Sequence, residues 1–374
     1  MRVLVADDAI LYRRLLAEVL ATLPGVEVVG SASNGKIAIQ KVRDLKPDLL
    51  TLDIEMPEMD GLAVLDALLQ GGEPAVEVIV VSAVSRRGGD LTIRALEKGA
   101  FDFITKPEAA TPEEGRAALA RELAPRVRAV ANRLEVRAIL RGKSSKSRFG
   151  APAPHAVPEA QPEDANLDGI ALRMQRLANP SKPEMVLIGV STGGPVALAQ
   201  LLPAIPRDIG VPILIVQHMP PIFTKSLADS LAAKCAVSVR EAVNGESPEP
   251  NTVYIAPGGR QMRLVAGPEN RPTLEMTDDP PENNCRPAVD YLFRSVANNF
   301  PGRAMAVILT GMGSDGTLGL RLLKRQGSFV IAQDEASCVI YGMPKAAVDA
   351  GVADAVVPLN AIAGRIAAIV KGGR

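Results

Sequence analysis

Between Val3 and Lys106, short runs rich in β-branched residues (VLVAD, VEVVGSAS, DLLTLD, EVIVVSA and DFIT) alternate with stretches whose apolar residues recur at helical spacing. The pattern predicts a βα alternation. Strands that are apolar on both faces fit a parallel sheet covered by helices on each side, and such sheets gather their ligands at the carboxyl ends of the strands. After Thr111 a helical stretch begins, strongly basic from Arg116 to Arg148 and opposed only by Glu122 and Glu135. The next segment, Gly150 to Asp168, mixes Ala, Pro and acidic residues without a strand or helix period. Such composition does not repay its ordering entropy and reads as a linker. From Met185 the alternation resumes in MVLIGV, ILIVQH, TVYIAP, AVILTG and FVIAQD. The expected organisation is therefore an α/β unit over residues 1–125, a basic helix and flexible linker over 126–182, and a second α/β unit over 183–374.

Length agrees, since 374 residues exceed what one hydrophobic core usually serves. Lys plus Arg and Asp plus Glu balance at 42 each, which gives the molecule no bulk attraction to nucleic acid or anionic membrane. The basic stretch fits a solvated helix leading into a tether better than a contact with a phosphate-rich partner. Three cysteines, Cys235, Cys285 and Cys338, are too few and odd in number for a disulfide framework, and point to a reducing compartment. Asp7 and Asp8 arrive before a signal-peptide core forms, and no apolar run approaches the ~18 residues that span a bilayer. The expectation is a cytoplasmic protein with no direct membrane insertion.

The strand ends of the first unit carry the chemistry. Asp7 and Asp8 close the first strand, Asp53 the third and Ser82 the fourth, while Lys106 follows the fifth. Carboxylates packed together repel unless a hard cation neutralises them, and Mg²⁺ suits an oxygen-only, partly hydrated site. The roles then separate: Asp53 takes a phosphoryl group, Asp7 and Asp8 hold the metal, and Ser82 and Lys106 contact the phosphoryl oxygens. The alternative is an ordinary acidic rim. VADD, LDIEMPEMDG, VSA and DFITKP resemble, in order and rough spacing, the receiver domain of response regulators over residues 1 to 125. The resemblance implies a flavodoxin-like, doubly wound parallel sheet, a histidine kinase as phosphodonor, a backbone carbonyl of Glu55 completing the Mg²⁺ site, and Phe103 as the switch aromatic.

In the second unit, MVLIGV runs into Ser191-Thr192-Gly193-Gly194-Pro195 and a helical pattern. Gly189, Ser191 and Gly193 satisfy G-x-S-x-G at a strand-to-helix turn, where a sharp bend exposes the hydroxyl and backbone N–H groups face an oxyanion. An incidental serine in a glycine-rich turn is the competing explanation. Only two histidines exist: His155 falls in the linker, and His218 ends the strand ILIVQ. A serine nucleophile needs a base, and the base needs a carboxylate; His218 and Asp315, in LTGMGSDGTLG, fill those roles at other strand ends.

The order Ser, His, Asp departs from the α/β-hydrolase order. Instead IGVSTGGP, QHMPP, YIAPGG, RPAVDYLF, ILTGMGSDG and EASCVIYGMP resemble the protein-glutamate methylesterases of bacterial chemotaxis over residues 183 to 370. The resemblance implies a doubly wound, mostly parallel sheet, a triad of Ser191, His218 and Asp315, and Thr192 and the Met312 backbone N–H near the oxyanion. It also implies substrates on the cytoplasmic helices of chemoreceptors, namely glutamyl methyl esters and glutamines to be deamidated, with no cofactor for the esterase step. Cys285 stands where many relatives are expected to carry histidine, and Tyr341 where phenylalanine is common. Three rival readings fit less well. Gly311, Gly313 and Gly316 with Asp334 imitate a dinucleotide-binding fingerprint but leave Ser191 and His218 unexplained. A DNA-binding regulator lacks its helix-turn-helix pattern. A binding-only descendant sits badly with a complete triad.

Overall fold

The computed structural model describes residues 1–70, 76–107, 111–140 and 182–372. Five strands, β1 (Arg2–Ala6), β2 (Glu27–Ala32), β3 (Leu49–Asp53), β4 (Glu77–Ser82) and β5 (Asp102–Thr105), form an all-parallel sheet in the order β2-β1-β3-β4-β5. Every residue of β3 and of β4 is buried, which is why their sequences read as continuous apolar runs rather than alternations. Each fully buried Val, Leu or Ile contributes about 1.5–3 kcal/mol relative to exposure. Gly61 opens the helix Gly61–Gln70 against the end of β3, where a Cβ would lie 2.5 Å from the Asp53 carbonyl oxygen.

The second unit holds β6 (Met185–Val190), β7 (Ile213–Gln217), β8 (Ser238–Glu241), β9 (Thr252–Ile255), the antiparallel hairpin β10 (Gln261–Ala266) and β11 (Pro272–Thr277), then β12 (Ala304–Ile308), β13 (Val330–Gln333) and β14 (Ala355–Val357). Seven of them make one sheet, β14-β13-β12-β6-β7-β9-β8, and every pairing in it is parallel. The expected strands are all present. Unexpected are β8, β14 and the hairpin, whose short or charged sequences (SVRE, AVV, PTLEMT) lack an apolar run.

The helix Pro112–Leu140 is continuous across position 125, the expected end of the first unit. Leu119, Leu123, Val127 and Val130 on one of its faces are buried in the same cluster as Val3, Val5 and Ile79. Its basic residues are largely spent on that unit: Arg126 pairs with Asp102, Arg133 and Arg137 with Glu77, and Arg116 with Glu18. The segment called a linker, Gly150–Asp168, and His155 within it, lie outside the described residues.

The two units meet along the helices Arg86–Glu97 and Phe223–Ala232. Gly89 makes the close approach possible, since a Cβ there would stand 2.7 Å from Ser226 Oγ. At the edge of the contact Glu97 accepts from Ser230 Oγ at 2.7 Å and pairs with Lys234 at 2.5 Å. Phe103 of β5 stacks on Phe223 with ring centroids 4.8 Å apart.

Candidate functional site

At the carboxyl end of the first sheet, Asp7, Asp8 and Asp53 offer oxygens that all lie within 4.8 Å of one another. Lys106 Nζ sits 2.7 Å from Asp53 Oδ2 and 3.0 Å from Asp7 Oδ2. Asp7 and Asp53 are buried, and Asp8 is exposed. Burial pushes the Asp53 carboxyl up to about 6 even against the pull of Lys106, and raises Asp7 as well. Burial also works against the Lys106 ammonium, but Asp53 and Asp7 outweigh it and hold its pKa above the usual range. One ammonium thus faces three carboxylates, two of them desolvated, and this surplus of hard oxygen donors fits a cation such as Mg²⁺. Ser82 is at the expected strand end, but its hydroxyl donates to the carbonyls of Gly88 at 3.3 Å and Ala83 at 3.4 Å instead of facing Asp53. The Glu55 N–H donates to Asp53 Oδ1 at 3.3 Å, while the Glu55 side chain pairs with Arg87 at the surface.

The second constellation sits at the carboxyl ends of β6, β7 and β12. Ser191 directly follows β6, and its N–H donates to the Thr310 carbonyl while its carbonyl accepts from Gly194 N–H, which fixes the turn. Gly193 has φ of 80°, in the left-handed region. At Gly194 a Cβ would lie 1.9 Å from Gln217 Oε1. Gln217 Nε2 in turn donates to the Ser191 carbonyl at 3.0 Å and to that of His218 at 3.1 Å, tying the two strand ends together. The sequence reading missed this residue, although it stands in QHMPP beside the histidine.

His218 Nε2 lies 2.7 Å from Asp315 Oδ2. Asp315 is held by four further donors: Val289 N–H at 2.7 Å, Asn283 Nδ2 at 2.8 Å, Gly316 N–H at 2.9 Å and Asp290 N–H at 3.0 Å. Burial alone would raise its carboxyl, but His218 and these N–H groups outweigh burial and hold it below the usual range. Burial likewise disfavours the His218 imidazolium, yet Asp315 and Cys285 together push its pKa up to about 9. Neighbouring Asp290, which also accepts from Gly319 N–H at 2.7 Å, is pushed up to about 6 by burial. On the other ring nitrogen, Cys285 Sγ stands 3.5 Å from His218 Nδ1.

Ser191, Thr192, His218, Cys285 and Met312 line one cleft of about 860 Å³, whose opposite wall comes from β5 and the helix Pro112–Leu140 of the first unit. Among the described residues neither the Ser191 hydroxyl nor the backbone N–H groups of Thr192 and Met312 have a hydrogen-bond partner. A hydroxyl and two N–H groups without partners, on residues that line one cleft, suit nucleophilic attack on a carbonyl. The distance from serine to base closes only when substrate orders the site in many such enzymes. Thr192 Oγ1 crosses to the first unit and donates to Asp102 Oδ2 at 3.0 Å. The glycines of the dinucleotide fingerprint do other work: Gly311 packs where a Cβ would lie 2.8 Å from that of Ser191, and Asp334 caps its own turn through Ser337.

Comparison with known proteins places both units in families. Residues 186–366 match the CheB methylesterase family, and residues 3–119 match the response regulator receiver domain family. A protein-glutamate methylesterase/protein-glutamine glutaminase of Desulfotalea psychrophila is 49% identical over 372 residues, 99% of each chain. One of the same name from Lawsonia intracellularis is 40% identical over 368 residues, 98% of each chain. The crystal structure of the Thermotoga maritima CheB methylesterase catalytic domain is 42% identical with a TM-score of 0.49, covering 51% of this chain and 100% of that one. A receiver domain followed by a methylesterase catalytic domain is the class defined here. The chain belongs to the protein-glutamate methylesterase/protein-glutamine glutaminase family.

Proposed function

We propose that the chain is a phosphorylation-activated serine hydrolase, which demethylates glutamyl methyl esters and deamidates glutamines on the cytoplasmic domains of chemoreceptors. The observation that carries this reading is His218, held by Asp315 on one ring nitrogen at 2.7 Å and lining the same cleft as Ser191, with its other nitrogen 3.5 Å from Cys285 Sγ. Asp315 accepts only, so the neutral ring keeps its hydrogen on Nε2 and offers its Nδ1 lone pair as base. His218 takes the Ser191 proton at Nδ1, and Oγ attacks the side-chain carbonyl of the substrate. The N–H groups of Thr192 and Met312 receive the oxyanion. His218 then returns the proton to the leaving methanol, or to ammonia from glutamine, and water attacking the acyl-enzyme releases glutamate.

Control belongs to the receiver. Asp53 accepts the phosphoryl group from a histidine kinase, and Lys106 and a rotated Ser82 contact its oxygens. Asp7, Asp8, Asp53 and the backbone carbonyl of Glu55 would hold Mg²⁺, which when bound neutralises the phosphoryl charge. Because one wall of the cleft is receiver, phosphorylation that favours a withdrawn arrangement opens the site to a receptor helix. Among the described residues no helix is long and apolar enough to cross a membrane.

The test is methanol release from methyl-labelled receptor membranes, with and without a small phosphodonor and Mg²⁺. Phosphodonor-stimulated release that vanishes in Ser191→Ala, while Asp53 still takes phosphate, is expected. Retained turnover in that variant would sink the assignment of Ser191.

A further inference from the structure

The thiol of Cys285 makes or breaks no bond in the ester chemistry above, yet it lines the cleft and approaches the proposed base to 3.5 Å. His218, Cys285 and Asp315 form one of two groups among the described residues whose ligand atoms all lie within 4.8 Å. The other group is the oxygen-only pocket of the receiver. Their donor chemistries differ sharply: carboxylate oxygens suit Mg²⁺, whereas a thiolate and an imidazole select zinc and its neighbours.

We propose that Cys285 Sγ and His218 Nδ1 form a binding site for a thiophilic divalent cation, Zn²⁺ in the first instance, with Asp315 as the supporting carboxylate. Zinc takes sulfur at about 2.3 Å and imidazole nitrogen at about 2.0–2.1 Å, so a separation of 3.5 Å between the two donors subtends an angle of roughly 107°, close to tetrahedral. The second requirement is an oriented imidazole. A metal-bound histidine donates its remaining N–H to a carboxylate, which sets the tautomer and raises its basicity. Asp315 makes that contact at 2.7 Å and is itself immobilised by Val289, Asp290 and Asn283. Water fills the remaining positions from the cleft. Binding at neutral pH displaces both the thiol proton and the Nδ1 proton of the imidazolium to solvent and leaves the metal in tetrahedral coordination.

The consequence for activity rests on the proposed function. The Nδ1 lone pair that would take the Ser191 proton is the one the cation occupies, so the loaded enzyme is inhibited while phosphorylation of Asp53 proceeds. Cys285→Ser weakens the cation without touching the receiver pocket.

The full chain is titrated with Zn²⁺ by calorimetry in excess Mg²⁺, which saturates the receiver, and with Co²⁺ by absorption. One equivalent should bind with a thiolate-to-cobalt charge-transfer band and tetrahedral d–d bands. Cys285→Ser, which keeps Cys235 and Cys338, should lose the band and bind at least tenfold more weakly. Ser191→Ala should bind like the parent although it hydrolyses nothing. Equal affinity in parent and Cys285→Ser, or a cobalt spectrum without thiolate character, overturns the site. Methanol release measured along the same titration should fall with occupancy in the parent and not in Cys285→Ser. Undiminished release at full occupancy overturns the inhibitory role and leaves the binding site standing. Absence of release from the metal-free parent refutes the esterase reading while the cobalt spectrum still decides the site.

Discussion

Thr192, the residue after the proposed nucleophile, is hydrogen-bonded through Oγ1 to Asp102 of the receiver at 3.0 Å. Asp102 is itself held by Arg126 Nε at 3.1 Å and by its own neighbour Phe103 N–H at 2.8 Å. A receiver carboxylate is therefore clamped against the catalytic turn.

Replacing Asp102 with Asn removes the charge that both Thr192 and Arg126 address, with little change of volume. A hydrogen bond to a charged group contributes about 1.5–3 kcal/mol, and part of that holds the receiver wall in place. Basal methanol release, without phosphodonor, is expected to rise roughly tenfold, which corresponds to about 1.4 kcal/mol. An unchanged basal rate would show that the clamp contributes nothing to gating.

The pH profile of the basal reaction should be displaced to the alkaline side. With its pKa pushed up to about 9, His218 is protonated at neutral pH and cannot accept a proton from Ser191. The rate should climb close to tenfold per pH unit and level off near pH 9 instead of near the ordinary histidine value of about 6.5. Linkage carries the same sign for stability. The stabilisation gained from the raised pKa is complete below pH 6.5 and is lost as pH rises through about 9. A rate profile already flat at pH 7.5 contradicts the buried imidazolium.

Asp315→Asn should leave a folded but poor enzyme. The amide puts its NH₂ group where Val289 N–H, Asp290 N–H or His218 now donates, and this costs on the order of 1–3 kcal/mol of stability. Turnover should drop about 10³–10⁴-fold rather than to zero, because serine and oxyanion donors remain. Steady-state kinetics beside a denaturant titration separate the two effects, and a loss equal to that of Ser191→Ala would assign Asp315 a more direct role.

Mg²⁺ should raise the thermal midpoint of the full chain at pH 7, because it neutralises desolvated carboxylates at Asp7 and Asp53. Chelation should reverse the shift. Asp8→Asn, a change at an exposed position, should abolish most of it with small effect on the metal-free midpoint. The same shift in the variant would remove Asp8 from the metal site.

Much of this arrangement was legible in the chain. Strands such as EVIVVS and MVLIGV declare themselves because parallel strands buried on both faces are apolar through their middles. Asp7, Asp53, Lys106, Ser191, His218 and Asp315 follow from the rule that such sheets carry their chemistry at strand ends. What stayed hidden depends on tertiary partners. Nothing local distinguishes Gln217 as the tie between two strand ends, or Asp102 as the residue facing Thr192. The orientation of Ser82 toward Gly88 is a rotamer, invisible in sequence. The expected end of the first unit at 125 followed the extent of the receiver resemblance, and Val127 and Val130 beyond it continue the buried face of the same helix. Nothing in the sequence around Cys285 points to its contact with His218 Nδ1.

Strand β5 unites the two ends of the regulatory problem. Asp102 begins it and Lys106 follows its last residue, so the group bonded to Thr192 and the group paired with Asp53 are four peptide bonds apart, roughly 13 Å of extended chain. A strand is stiff along its length. Under the proposed control, a pull on Lys106 would reach Asp102 along the backbone of one strand, with side chains needed only at its two ends.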